Sequence, residues 1–193
     1  MTLTDTFIFP LGTVLYPDGL LPLKIFEQRY LEMTKQCIRD EKPFGVCLIR
    51  EGNEVGTPAV PHDVGCLATI AEWDMPHTGL FTLMTRGGQR FRILEQSVDR
   101  LGLISARIEC WDADLPGAMM DDKCRRLLEA LIARAGAEHF PAPLRLDDPA
   151  WVGFRLAEIL PLPGSFKQEL LELRDAGERL RRIGELLTET PAG

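Results

Sequence analysis

A change in hydrophobic period near residue 115 is the strongest constraint on how this 193-residue chain can fold. Before that point, short apolar segments rich in β-branched and aromatic residues are separated by Gly, Pro, Asn and Asp, which is typical of small β structures. After it, apolar residues recur every three or four positions, which indicates amphipathic helices. We therefore predict an α+β chain, with a β barrel over residues 1–115 and a three-helix C-terminal subdomain over residues 116–193.

The strand nearest this boundary shows the clearest alternation. Ile104, Ala106 and Ile108 occupy every second position, so one face of the strand is expected to be buried and the other solvated. A sheet with one solvated face is antiparallel, and the absence of βαβ alternation favours a partly closed barrel. The predicted strands cover residues 6–9, 20–25, 44–50, 64–73, 80–86, 89–97 and 102–111.

Two further patterns complete the β half. Phe26, Tyr30 and Cys37 recur at helical spacing, which predicts one inserted helix over residues 26–40 that packs these side chains on the barrel. Two adjacent glycines in RGGQRF, residues 86–91, predict a hairpin turn between two strands.

Three helices are predicted in the second half. The first ends at Gly136, placed as a C′ residue, and the second begins after Asp148 as N-cap with Pro149 at the first helical position. SFKQ, residues 165–168, has the pattern of a capping box and starts the last helix, whose single apolar stripe continues to Leu187.

The composition excludes several classes of partner. Lys and Arg number 22 against 29 Asp and Glu, a net charge of -7, so nucleic acid is not an expected partner. Neither a membrane-length apolar run nor a basic signal-peptide region occurs, so a cytoplasmic location without membrane insertion is expected. The five cysteines are odd in number and widely spaced, and they are expected to be reduced thiols in the core.

Four segments, in the same order and spacing, resemble the N-terminal substrate-binding domain of Lon proteases. They are FPLGTVLYPDGLLPLKIFEQRY at residues 9–30, FGVCLIREGNEVG at 44–56, VGCLATIAEW at 64–73 and RGGQRFRILE at 86–95. The resemblance continues more weakly through KQELLELRDAGERLRRIGELL, residues 167–187, and so covers nearly the whole chain.

This resemblance implies a PUA-like antiparallel β pseudo-barrel with one inserted helix, followed by a small helical bundle. It implies recognition of unfolded or tagged polypeptides, with no cofactor. The chain has no Walker motif, and we expect a stand-alone, non-enzymatic form of the domain that lacks the Lon ATPase and peptidase. An adaptor that delivers clients to a protease or chaperone partner is the concrete form of this expectation.

Two apolar segments are candidates for polypeptide contact. Tyr16, Leu20 and Leu21 lie in a proline-bounded loop, and loops often carry binding residues. Trp73 and Met75 lie in the connection between two predicted strands, where adaptable apolar side chains suit varied partners. The alternative for both segments is structural: the loop closes the barrel, and Trp73 folds back over the barrel mouth.

The FE-x-RY motif at Glu27, Arg29 and Tyr30 also matches the family. We favour a structural role for these three residues over a role in recognition. Glu27 then lies at a helix start, Arg29 reaches a carboxylate or a carbonyl, and Tyr30 lies between barrel and helix. A metal site is not expected, because His62 and Cys66 are four apart across a strand, where such side chains do not converge, and His77 is farther on.

Two alternative functions come from other classes. PUA-like barrels elsewhere bind RNA, and a local basic patch for RNA would use Arg86, Arg90, Arg92 and Arg100. A small-ligand sensor or a hidden hydrolase would instead use a pocket inside the barrel.

Overall fold

The computed structural model describes residues 2–114 and 117–189, and the chain divides into two compact units, Met1–Asp112 and Ala113–Gly193. The described part of the first unit contains seven strands and one helix. They are β1 Thr2–Leu11, β2 Leu20–Ile25, α1 Gln28–Asp40, β3 Phe44–Glu51, β4 Val60–Pro61, β5 Val64–His77, β6 Leu80–Val98 and β7 Ile104–Cys110.

Five of these strands close into a barrel in the order β1, β7, β6, β5, β3. The ring closes because β1 pairs in parallel with β3, from Ile8 opposite Gly45 to Leu11 opposite Leu48. The other described pairings are antiparallel. The predicted α+β pseudo-barrel with one inserted helix is therefore confirmed, as is the alternation of buried and exposed side chains along β7.

The ring of Phe91 on β6 fills the barrel interior and is fully buried. A Cβ added to Gly45 would lie 2.6 Å from Cζ of this ring, and one added to Gly65 would lie 2.7 Å from it. Carbon atoms in contact are normally about 3.5–4.0 Å apart, so glycine is the residue that fits opposite the ring. Its other buried neighbours are Ile8, Cys47, Leu67, Ile104, Ala106, Ile108 and Cys110.

A second core lies between the outside of the barrel and α1. Tyr30, Met33 and Cys37 of the helix are buried in one cluster with Phe9 and Phe44, and the rings of Phe9 and Tyr30 are 4.2 Å apart. The predicted packing of one helix stripe on the barrel is confirmed for these side chains. It is wrong for Phe26, which precedes the helix and is 56% exposed.

The predicted hairpin at residues 86–91 is wrong, because β6 continues through this segment as one strand. The pairing register with β5 shifts there, with Cys66 opposite Arg90 and Ala68 opposite Gly87, so the glycines lie at a bulge. Gly87 also contacts the preceding loop: its amide donates to the carbonyl of Gly19 at 2.8 Å, and its carbonyl accepts from the amide of Asp18 at 2.8 Å.

The described part of the second unit contains four α-helices and one 3-10 helix. They are α2 Asp122–Ala135, the 3-10 helix Ala137–His139, α3 Pro149–Ile159, α4 Gly164–Glu172 and α5 Ala176–Glu189. Among the described residues, none of the helices is long and apolar enough to cross a membrane.

The helix termini were predicted with mixed success. Asp148 caps α3 as predicted, since its carboxylate accepts from the amides of Ala150 and Trp151. Helix α2 ends before Gly136 as predicted, but Gly136 is its C-cap and not the C′ residue. The predicted capping box at Ser165 is wrong. The N-cap of α4 is Pro163, with no side-chain cap, so Ser165 already lies inside the first turn.

The predicted single last helix is two helices, so the predicted count of three is also wrong for the described residues. Helix α4 ends at Glu172, with Leu173 as its C-cap. The carboxylate of Asp175 accepts from the amide of Glu178 at 2.9 Å, which caps the start of α5. The sequence RDAGE contains this signal, Asp followed three residues later by Glu.

Arg179 stabilises the break between these helices. Its guanidinium is fully buried and donates to the carbonyls of Leu170 and Leu173, which are left without helical partners at the end of α4. The same group pairs with the carboxylate of Asp114 at 2.6 Å and lies 3.8 Å from the ring centroid of Phe154. One buried cation therefore joins three segments of this unit.

Replacing Gly87 with alanine should lower the free energy of unfolding of the N-terminal unit by about 2–3 kcal/mol, as expected for overpacking in a close contact. The added Cβ would lie 2.0 Å from the carbonyl oxygen of Tyr16, so the loop must move. Urea unfolding followed by circular dichroism measures the change.

The neighbouring Gly88→Ala substitution is the matched control. The nearest contact of its added Cβ would be the carbonyl oxygen of Leu67 at 3.5 Å, so a change within about 0.5–1 kcal/mol is expected. Equal losses in the two variants would show that the approach of the loop to Gly87 is not the constraint.

Candidate functional site

A groove of about 320 Å³ runs along β2 on the N-terminal unit. Strand β2 and the residues that follow it form one wall, and the end of β1, the residue Thr13 and two residues after β3 form the rest. The lining residues are Phe9, Leu11, Thr13, Leu21, Pro22, Leu23, Lys24, Ile25, Phe26, Glu27, Tyr30, Glu54 and Val55. These elements come together because α1 and the loop 12–19 both pack against the outside of the barrel.

The groove carries apolar side chains that the fold leaves in solvent. Phe26 is 56% exposed and Val55 is 57% exposed, and Leu20, next to the lining residues, is 39% exposed. Single exposed apolar residues are common on proteins, but several along one groove favour a binding surface.

The side of β2 away from β6 is an open strand edge. The amide of Gly87 donates to the carbonyl of Gly19 at 2.8 Å, and successive residues of a strand direct their main-chain groups to alternate sides. With the register of Leu20 opposite Arg86, the main-chain groups of Leu21 and Leu23 therefore point to β6. Those of Leu20, Pro22 and Lys24 point away from it.

Pro22 agrees with this assignment, because proline has no amide to donate and occurs in strands whose amide side is unpaired. Among the described residues, β2 pairs with β6 alone. The groove is lined by consecutive residues from Leu21 to Glu27. Successive side chains of a strand point to opposite faces of the sheet, so a groove that contacts all of these residues runs along the open edge of the strand.

Glu27 and Tyr30 line the end of the groove next to α1, called here its inner end, and Arg29 contacts both of them. Arg29 is buried and donates to both carboxylate oxygens of Glu27, the shorter contact at 3.0 Å, and to the carbonyl of Gly102 at 3.2 Å. Its guanidinium also lies 4.6 Å from the ring centroid of Tyr30. The structure thus gives Arg29 both partners that the sequence suggested, a carboxylate and a carbonyl.

Two carboxylates also fix the opposite wall. Glu54 accepts from the amide of Gly12 at 2.6 Å, and Glu27 accepts from the amide of Gly56 at 3.4 Å. Burial raises the pKa of Tyr30 to about 12; Arg29 opposes this effect, and Glu27 and Glu54 add to it. The inner end of the groove therefore contains two acidic groups.

The five predicted contact residues differ in their exposure to solvent and in their distance from the groove. Tyr16 is fully buried, so it lies in the core of the loop and not on the surface. Leu21 lines the groove and is partly buried against the helix-side core, and Leu20 is partly exposed beside it. Trp73 and Met75 are 53% and 48% exposed.

Trp73 and Met75 lie on a strand, and not in the predicted loop, because β5 continues to His77. Trp73 is opposite Leu83 of β6, which is opposite Leu23 of β2, so it lies two strands, about 10 Å, from the groove edge. Its ring meets that of Phe81 edge-on, with centroids 5.9 Å apart. With this contact made, Trp73 is still about half exposed.

Sequence reasoning missed Phe26, Val55 and Glu54 as groove residues. Phe26 fits a helical stripe with Tyr30, which obscured its position two residues before α1 begins. Val55 lies in the polar segment EGNEVG, where an isolated valine between turn residues is itself a signal of an exposed apolar side chain.

Two of the residues considered for a metal site, Cys66 and His77, lie apart on β5. Cys66 is buried, and His77 lies at the far end of the same strand; within residues 2–114 and 117–189 no group of three or more His, Cys, Asp or Glu is placed to hold a metal. All five cysteines are free and buried. Burial, with Asp40 nearby, raises the pKa of Cys37 to about 11, and burial also raises the pKa of Cys47, so both thiols are protonated at neutral pH.

A second cavity, of about 380 Å³, lies at the other end of α1 between the start of β1 and the residues before β3. Its apolar lining residues Cys37 and Leu67 are buried and Phe7 is partly buried. None of the described residues that line it is a large apolar side chain exposed to solvent, so we regard the groove along β2 as the better candidate for polypeptide contact.

These features define a small α+β barrel protein with an outward-facing apolar groove. The chain matches the family described as "ATP-dependent protease La (LON) substrate-binding domain" over residues 6–189, and it belongs to this family. The resemblance that the four sequence segments indicated is thereby confirmed.

Solved structures support the same assignment. A Lon N-terminal domain protein from Xanthomonas campestris is 32% identical, with a TM-score of 0.78, over 97% of this chain and 99% of that one. The N-terminal domain of Lon protease from the Mycobacterium avium complex shares the fold, with a TM-score of 0.63 over 92% of this chain and 95% of that one, at 17% identity.

Full Lon proteases are more distant in sequence. That of Paraburkholderia phytofirmans is 25% identical over 89% of this chain, and that of Anaeromyxobacter dehalogenans is 26% identical over 93% of it. The chain spans 22% of the length of each, which is the share of those proteins that the comparison covers.

Replacing Glu27 with alanine should destabilise the N-terminal unit by about 2–3 kcal/mol. Removing one partner of a buried ion pair costs about 3–5 kcal/mol, and the effect is reduced here because Glu27 is 20% exposed and Arg29 keeps Gly102. Urea unfolding gives the difference.

Glu32→Ala, within α1, is the control, since Glu32 is 48% exposed where it pairs with Lys35. A change within about 0.5 kcal/mol is expected for such a surface pair. If Glu27→Ala were as mild as Glu32→Ala, the ion pair with Arg29 would not hold the groove together.

Proposed function

We propose that this chain is a non-enzymatic polypeptide-binding module that recognises unfolded or tagged segments through the groove along β2 and the neighbouring Trp73 and Met75. The observation that carries the proposal is an open strand edge bordered by exposed apolar side chains, Phe26 and Val55 above all. Membership of a family of substrate-binding domains supports the same function.

Such a surface favours weak and permissive binding. Association and ordering costs offset much of the gain from contact with a surface of this size. A weak binder of many clients suits an adaptor that passes them to a protease or chaperone partner. The buried, free thiols suit a reducing compartment such as the cytoplasm.

RNA binding is less well supported. The four arginines considered for a basic patch are not equivalent: Arg90 is buried, and Arg86 pairs with Asp18 at 2.9 Å. Arg92 lies 5.6 Å from the ring centroid of Trp111. A phosphate backbone needs several free cations in a row, and this arrangement does not supply them.

A small-ligand sensor or a hydrolase is also less well supported. The ring of Phe91 takes the barrel interior that a ligand would need. Buried thiols with raised pKa values, such as Cys37, do not suit a nucleophile, which must be a thiolate.

Replacing both Trp73 and Met75 with serine should weaken binding of a permanently unfolded protein, such as reduced and carboxymethylated lactalbumin, by about tenfold. Truncating central aromatic contacts commonly costs more than about 1 kcal/mol of binding. The melting temperature should change little, because both side chains are about half exposed. Fluorescence titration and thermal melts on the same sample separate the two effects.

Leu3→Ser is the matched control, since Leu3 is 53% exposed at the start of β1, at the opposite end of that strand from the groove. Its affinity for the unfolded client should equal that of the unchanged protein. Unchanged binding by the Trp73 and Met75 variant at full stability would remove these residues from the proposed surface, and a large fall in its melting temperature would favour a structural role.

A further inference from the structure

We infer that the groove binds its polypeptide as an added β-strand along the open edge of β2, with a basic side chain of that polypeptide at the acidic inner end. This inference rests on the proposed polypeptide recognition and goes further, because it states the conformation of the bound segment and one element of its sequence.

The open edge provides the main-chain groups that an added strand needs. The amides of Leu20 and Lys24 and the carbonyls of Leu20, Pro22 and Lys24 point away from β6 by the register derived above. An extended polypeptide satisfies such groups with its own main chain, independently of its sequence, as in other cases of strand addition. Only one amide of the edge is missing, at Pro22.

The geometry of the groove fits one extended segment. Strand β2 has six residues, so a bound strand in register with it would span about 20 Å. The opposite wall carries Val55 and Leu11, and Phe26 stands exposed at the end of the strand. Alternate side chains of the added strand can therefore contact apolar groups while its main chain pairs with β2.

The charges of the groove favour a basic residue at one end. Glu27 and Glu54 line the inner end, where both act to raise the pKa of Tyr30. Arg29 already balances part of the charge of Glu27. The exposed carboxylate of Glu54 accepts from the Gly12 amide, which carries no charge to balance it. The exposed Lys24 lies on β2, away from the inner end. Repulsion between like charges disfavours a basic side chain of the bound polypeptide next to Lys24.

The test of strand addition uses a fluorescein-labelled peptide, Lys-Lys-Leu-Thr-Phe-Thr-Leu-Lys-Lys, and two N-methylated forms of it. One form is methylated at the Leu and Phe amides and the other at the Thr amides. Lysines at both ends make the result independent of strand direction. Fluorescence anisotropy with the full chain gives the dissociation constants.

An added strand turns one set of alternate amides to β2 and the other to solvent. One methylated peptide should therefore bind about tenfold more weakly, from the loss of about two hydrogen bonds, and the other should bind within about twofold of the parent. Equal effects of the two methylation patterns would overturn strand addition and leave polypeptide recognition standing. Failure of the unmethylated peptide to bind below millimolar concentration would overturn both.

The charge preference is tested with Glu54→Gln, which keeps an oxygen for the Gly12 amide. This variant should bind the lysine-ended peptide about threefold more weakly at low salt, as for an exposed charge pair, and should bind a glutamine-ended version equally well. Glu51→Gln is the matched control, because the Glu51 side chain is 73% exposed and does not line the groove. Equal effects of the two substitutions would overturn the basic-residue preference.

Discussion

The packing of the Phe91 ring inside the barrel decides where this protein can present a binding surface. Residues from four strands surround the ring, and two of the facing positions, Gly45 and Gly65, have no room for even a methyl group. A barrel whose interior is filled by side chains in this way has no space for a ligand inside it. The proposed recognition surface therefore lies on the outside of the barrel, where the inserted helix and the loop 12–19 pack.

Strand β6 links that filled interior to the outer surface. Its second half pairs with β7 and contributes Phe91 to the barrel, and its first half pairs with β2. The loop that precedes β2 is held at the junction, because the main chain of Gly87 exchanges hydrogen bonds with Asp18 and Gly19. This docking buries Tyr16, positions β2 beside β6, and leaves the other edge of β2 open.

Much of the fold follows from local sequence, and the exceptions have tertiary causes. The bounds of β2 and the cap at Asp148 depend on neighbouring residues, and both were predictable. RGGQRF has the local pattern of a turn, but the approach of the Tyr16 carbonyl to Gly87 requires glycine within a continuous strand. The apolar stripe in the sequence continues across the break before α5, so the stripe does not reveal it. The break is stabilised by buried Arg179, which donates to the carbonyls left unpaired at the end of α4.

The candidate site was less predictable, because apolar character alone does not tell which side chains face solvent. Tyr16 and Phe26 are both aromatic residues of the same opening segment, yet Tyr16 is fully buried and Phe26 is 56% exposed. The difference depends on which part of the chain docks at Gly87 and where α1 begins. A pattern in the sequence therefore located the segment, and only the tertiary contacts distinguish the core residue from the groove residue.

The structural and the binding interpretations of FE-x-RY need not compete. The carboxylate of Glu27 neutralises buried Arg29, and it also accepts from the amide of Gly56, next to the exposed Val55. The same group thus stabilises the start of α1, positions the opposite wall and contributes negative charge to the inner end of the groove. A residue that stabilises the fold can in this way also shape the candidate groove, because the groove is formed by the contacts that hold the fold together.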